Sequence, residues 1–135
     1  MSTKKVIRLN LSGKRFDQPE RGWLVQLMPT LTEVLGSIED IHAVSLEPGV
    51  VRGNHFHRDR IEALLPLSEG LTIAWIDEDG RTEEKSVGAA QILYIFPPDV
   101  PHAIRNDGIA TAVAIAFGNA AYRPEQPDRY FFDLL

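Results

Sequence analysis

Three histidines and one glutamate carry the clearest chemical signal in the chain: His55-Phe56-His57, then Glu62 five residues on, and His102 far downstream. On a strand, residues two apart share a face, so His55 and His57 project together while Phe56 points the other way. A polar break at residues 58–60 allows Glu62, at the head of the next apolar segment, to fold back beside the pair. His102 opens a later strand and has to be brought in by folding. Three imidazoles and a carboxylate suit one borderline divalent transition metal, Zn, Fe, Mn, Ni or Cu. Four protein ligands leave up to two positions of an octahedral ion for water, substrate or dioxygen. The alternative is that His55 and His57 are two surface histidines on an edge strand.

Composition narrows what such a site can serve. The chain has 135 residues, enough for one compact domain, residues 1–135, with one core. It is 44% hydrophobic and 24% charged, with a net charge of −5. No basic patch stands out to neutralise a phosphate backbone, which argues against nucleic acid, although a local group of arginines could grip one anionic small molecule. There is no cysteine, so disulfides, thiolate metal sites and cysteine nucleophiles are excluded. The first residues lack the apolar stretch of a signal peptide, and no window approaches the roughly 20 apolar residues of a membrane span. A cytoplasmic protein acting on a small molecule, away from membranes, is expected. No Walker loop, dinucleotide glycine fingerprint or nucleophile elbow is present.

The elements that must position these side chains read as short strands between turn residues. Alternation and turn residues predict strands over residues 6–9, 23–27, 41–46, 50–57, 61–67, 71–77, 81–87, 91–96 and 102–106, with Asp77-Glu78-Asp79-Gly80 as a hairpin turn. Pro97-Pro98-Asp99-Val100-Pro101 cannot sit inside a sheet. Residues 109–117 are apolar on both faces and predict an inner strand buried on both sides. The one helix expected is short, over residues 30–35. Such a series indicates an all-β sandwich or barrel. The tail over 120–135 carries Tyr122, Tyr130, Phe131 and Phe132 and is expected to pack on the barrel or on a partner.

In the spacing of these residues the chain resembles the cupin superfamily. Gly49, His55, His57, Glu62 and Gly70 follow that family's first motif, within residues 49–70. Pro97, Asp99, His102 and Asn106 follow its second, within residues 88–106, with Asp99 where a glycine is expected. The resemblance implies a small double-stranded β-helix, a jelly-roll barrel, often dimeric, with a metal held in the barrel mouth by His55, His57, Glu62 and His102. A homodimer is therefore expected.

Two further stretches, Arg21-Gly22-Trp23-Leu24 and Arg52-Gly53-Asn54-His55, are similar to the deoxysugar nucleotide epimerases and 3,4-ketoisomerases among cupins, and to cupin domains of capsular-sugar enzymes. That resemblance implies His55 as acid or base, His57 as its neighbour, and Arg52 and Arg21 as anion contacts. Tyr94 and Trp75 could stack on a sugar, or belong to the core. His42 lies on an alternating strand and either faces the barrel or is structural. Two tensions follow. Simple alternation puts Arg52 on the face opposite the histidines unless Gly53 shifts the register. A His55 that ligates a metal cannot at the same time be a free base. The leading expectation is a metal-binding cupin that isomerises or epimerises a keto nucleotide sugar. A mononuclear-metal dioxygenase and a non-catalytic carbohydrate-binding or sensor module are the alternatives.

Overall fold

The computed structural model describes residues 4–135. In chain order the elements are β1 (Ile7–Asn10), β2 (Arg15–Gln18), β3 (Gly22–Val25), α1 (Thr30–Leu35), β4 (Asp40–Leu46), β5 (Val51–Phe56), β6 (Glu62–Pro66), β7 (Leu71–Asp77), β8 (Gly80–Lys85), β9 (Ile92–Phe96), β10 (His102–Asn106), β11 (Ala112–Gly118) and β12 (Tyr130–Phe131). Two antiparallel five-stranded sheets face each other, ordered β1-β9-β6-β11-β4 and β12-β5-β10-β7-β8, with β2 and β3 forming a separate hairpin. This is the double-stranded jelly roll that the motif spacing implies.

The core between the sheets is built from Leu46, Leu64, Leu71, Ile73, Trp75, Tyr94, Phe96 and Ile104. A second apolar layer covers the outer face of the first sheet. There Leu31 and Leu35 of α1 pack with Ala63, Leu65, Leu93, Ile95 and Phe117. Burial on both faces explains why every residue of β6 is buried and why its sequence does not alternate. β11 lies between β6 and β4, but its double burial is incomplete: Val113 is 36% exposed, and Ile109 stands fully exposed before the strand begins. On the outer face of the second sheet, Leu134 packs with Ala74 and Ala103, drawing the C-terminal residues onto β7 and β10.

Two turn features fix the mouth of the barrel. Asp99 adopts φ 68, the left-handed region in which a glycine would be at ease, and its N–H donates to the His57 carbonyl at 2.6 Å. Asn106 is buried and spends its side chain on the backbone, donating to Leu46 O and Ala110 O and accepting from Gly108 N–H. Its place in the motif is thus structural. Among the described residues, no helix is long and apolar enough to cross a membrane.

Candidate metal and substrate site

His55 is the penultimate residue of β5, His57 lies just past its end, Glu62 starts β6 and His102 starts β10, so the two sheets meet at these four residues. One ligand atom from each lies within 4.8 Å of all the others. His102 Nε2 stands 3.0 Å from Glu62 Oε2, and His57 Nε2 stands 3.8 Å from the same oxygen. Ligands about 2.1 Å from one ion stand about 3 to 4.2 Å apart in octahedral geometry, so the four could close on a metal after a small contraction.

Hydrogen bonding prepares two of the imidazoles for that role. His57 Nδ1 faces the Asp128 carbonyl at 2.6 Å, and His102 Nδ1 faces the Val100 carbonyl at 3.0 Å. A carbonyl only accepts, so each Nδ1 carries a proton and donates it, and each ring turns its Nε2 toward Glu62. His57 Nε2 is buried with no hydrogen-bond partner. Two acceptors facing each other in a buried place require a cation or a proton between them, and the donor set therefore fits a divalent metal. Phe96 stacks on His102 with ring centroids 4.3 Å apart, fixing that ring from the core side.

Electrostatics hold His55 and Glu62 in the forms a metal binds, while His57 is drawn toward its protonated form. Burial lowers the His55 pKa to about 3, with further lowering from His102 and His57, so this imidazole is neutral at any ordinary pH. Burial alone would raise the Glu62 carboxyl; the contacts with His102 and His57 outweigh it and hold Glu62 well below the usual range, ionised. Burial would lower His57, but Glu62 beside it wins and draws its pKa up.

Arg60, buried in the polar break after the histidine pair, balances the carboxylate. Its Nη2 lies 3.2 Å from Glu62 Oε1 and 2.9 Å from Asp40 Oδ2, and its Nη1 donates to Ala120 O. The guanidinium lies flat over Gly118, where a Cβ would meet Cζ. Asp128 secures the same turn from the tail, its carboxylate accepting from Arg58 N–H and Asp59 N–H at 2.8 Å each.

Arg52 does face the histidines, and a bulge is the reason. His55 pairs with His102, but the next pair is Gly53 with Ala103, so Asn54 is an extra residue on β5. Gly53 has φ 91 and Asn54 φ 56. The shift puts Arg52 opposite Ile104, on the inner face, with its Nε donating to Ser45 O at 2.9 Å. Asn54 also binds the tail, accepting from the Leu134 and Leu135 N–H groups.

A cavity of about 1060 Å³ opens over the cluster, about the size of the largest small-molecule sites. His55, His57, Glu62, His102 and Arg52 all line it. Arg21 and Tyr94 do not. Arg21 sits exposed in the turn between β2 and β3, its N–H bonded to Gln18 O, on a hairpin outside this cavity. Tyr94 points inward but too far down the barrel: it is 1% exposed, packs against Trp75, and donates its hydroxyl to Glu84. Both lie outside the walls of this cavity.

Residues that the sequence does not single out complete the walls: Arg60, Asp128, and Tyr122, Arg123 and Arg129 of the C-terminal segment. Tyr122 was legible only as a packing aromatic. The arginines carry no local signal, because only the fold carries the tail across the mouth.

A barrel of this topology, with this cluster at its mouth, is a cupin. More narrowly, residues 17–130 match the family described as the polysaccharide biosynthesis C-terminal domain, and the chain belongs to that family. The capsular polysaccharide assembling protein CapF from Staphylococcus aureus is similar at 26% identity and a TM-score of 0.64, over 71% of this chain and 29% of CapF. This chain thus matches under a third of CapF's length. The sugar 3,4-ketoisomerase QdtA from Thermoanaerobacterium thermosaccharolyticum, solved with TDP, shares the fold at 14% identity and a TM-score of 0.73, over 92% of this chain and 85% of QdtA. A 3,4-ketoisomerase from Helicobacter canadensis does so at 18% identity and a TM-score of 0.71, over 92% and 88% of the two chains. No curated protein gives a significant match.

Proposed function

We propose that this chain isomerises or epimerises a nucleotide-linked keto-deoxysugar by labilising the C–H bond next to its keto group, at a metal centre of His55, His57, Glu62 and His102. The observation that carries this reading is the convergence of the four ligands and Arg52 on one face of an open cavity, which requires the bulge at Gly53 and Asn54. A divalent metal held there would supply positive charge for the oxygen of the enolate that C–H removal creates.

The chain's own residues supply the rest. Arg60 neutralises the part of Glu62 that faces away from the cluster and keeps the carboxylate in place. Arg52, Arg123 and Arg129 line the cavity, and among the described residues none of them pairs with a carboxylate, whereas Arg8, Arg15, Arg60, Arg81 and Arg105 all do. In a chain of net charge −5, unpaired guanidinium groups gathered at one mouth suit an anionic substrate such as a sugar diphosphate. Tyr122, 64% exposed at that mouth, offers a face for a nucleobase. The relatives support the same reading: a capsular polysaccharide assembling protein and two sugar ketoisomerases share this fold.

Deuterium incorporation tests it. Incubation with 4-keto-6-deoxy nucleotide sugars in heavy water should give exchange at the carbon beside the keto group, and Arg52→Ala should weaken binding of free TDP about tenfold. Metal-dependent oxygen uptake with no C–H exchange on any keto sugar would refute the isomerase reading in favour of a dioxygenase.

A further inference from the structure

If His55, His57 and His102 spend their lone pairs on a metal, the reaction still needs a proton acceptor. A second histidine faces the same cavity from another wall. On β4 the outward residue Ile41 is 60% exposed, while Val44 and Leu46 pack inward against the core between the sheets. That phase turns Asp40 and His42 inward as well, and both line the cavity.

The two form a hydrogen-bonded pair, His42 Nδ1 lying 3.0 Å from Asp40 Oδ2. A carboxylate oxygen accepts, so Nδ1 is the donor of this bond and Nε2 is the nitrogen left to take a proton. Asp40 is itself held, because Arg60 Nη2 donates to the same oxygen at 2.9 Å and Arg60 is buried. The base is thereby oriented by a third group, the geometry that general-base catalysis uses.

The register places this pair across a gap from the metal ligands. Asp40, Gly118 and Glu62 form one row across β4, β11 and β6, and His42, Ala116 and Leu64 form the next. Strands lie about 4.8 Å apart, so β4 and β6 are separated by about 10 Å. The residues between them, Gly118 and Ala116, carry almost no side chain, and the Arg60 guanidinium lies over Gly118. The remaining space above Ala116 has a histidine–aspartate pair on one side and the metal ligands on the other.

We propose that His42, oriented by Asp40, is the catalytic base, acting on a sugar ring that lies between it and the metal centre; this rests on the isomerase reading above. The C–H proton passes to His42 Nε2, the C–H electron pair becomes the enolate double bond, and the carbonyl π pair moves to oxygen. Release of that proton from His42 to water, with a water molecule protonating the opposite face of the same carbon, gives an epimer. Return of the proton from His42 to the former carbonyl carbon, with a proton shift between the two oxygens, gives the isomer. No oxidant or reductant is consumed. His42 is partly open to water, its side chain 46% exposed, so a proton it has taken can exchange with solvent.

The experiment measures heavy-water exchange, kcat, KM and metal content for wild type, His42→Gln, His42→Ala, Asp40→Asn and His55→Asn, with circular dichroism as the check on folding. A positioned base is worth about 100-fold or more, so His42→Gln should lose exchange and kcat by about that factor at unchanged KM and metal content. Added imidazole should restore part of the rate to His42→Ala, a rescue that a structural role would not give. Asp40→Asn should fall by a smaller factor. Exchange in His42→Gln within about threefold of wild type overturns the base role alone and leaves the isomerase reading standing. Exchange absent from wild type with every keto sugar overturns both.

Discussion

Gly53→Ala should damage both the fold and the site, and by a calculable amount. At φ 91, a Cβ is disfavoured, and the one added here would lie 2.9 Å from the His102 carbonyl oxygen and 3.0 Å from the Ala103 Cα. Both contacts are backbone, so no side-chain swing relieves them. Forcing an L-residue into such a conformation costs about 1–3 kcal/mol, and overpacking against a fixed neighbour about as much again. A loss of about 3 kcal/mol is expected. With an unfolding entropy of about 2.1 cal/mol/K per residue over 135 residues, that lowers Tm by about 10 °C. The same displacement moves β5 away from β10 where His55 pairs with His102, so metal affinity should fall in parallel. Gly13→Ala is the control, since nothing lies within 4 Å of its added Cβ. Thermal melts of the three proteins, with elemental analysis, decide the matter. A Gly53→Ala protein within about 2 °C of wild type and with unchanged metal content would refute this account of the bulge.

Two other outcomes are expected. Asp128→Ala removes the carboxylate that holds the Arg58 and Asp59 N–H groups, loosening the carbonyl that fixes the His57 tautomer; metal affinity by chelator competition should drop about tenfold, and an unchanged affinity would show that the tail does not support the site. The chain should form a homodimer through the β2–β3 hairpin, which leaves Phe16 52%, Trp23 40% and Leu24 41% exposed; light scattering that finds a monomer at high micromolar concentration would contradict this.

Much of the architecture could be read from local pattern, because strands in a barrel of this size keep their turn residues close by. β10 falls where the residues after Pro101 place it, and α1 over the segment between Pro29 and Gly36. β2 escaped notice, since Arg15-Phe16-Asp17-Gln18 is short and pairs only with β3. The grouping of His55, His57, Glu62 and His102 was legible because histidine is chemically rare and the motif fixes its spacing. Arg52 was ambiguous for a sound reason: its face depends on a bulge set by pairing with β10, about fifty residues away. Arg60 falls in the polar break over residues 58–60, and nothing near it in sequence reveals that Gly118 leaves room for its guanidinium. Tyr94 shows the converse limit. Alternation gives the side of a sheet, not the height along the barrel, and at its height inward means core.

The most direct test of the central claim is the metal content of protein purified without a histidine tag. About one divalent transition metal per chain is expected in wild type. His57→Ala, His102→Ala protein, folded by circular dichroism, should carry none. Full occupancy in that double variant, or a wild-type chain that binds no such metal at micromolar concentration, would contradict the assignment of His55, His57, Glu62 and His102 as a metal centre.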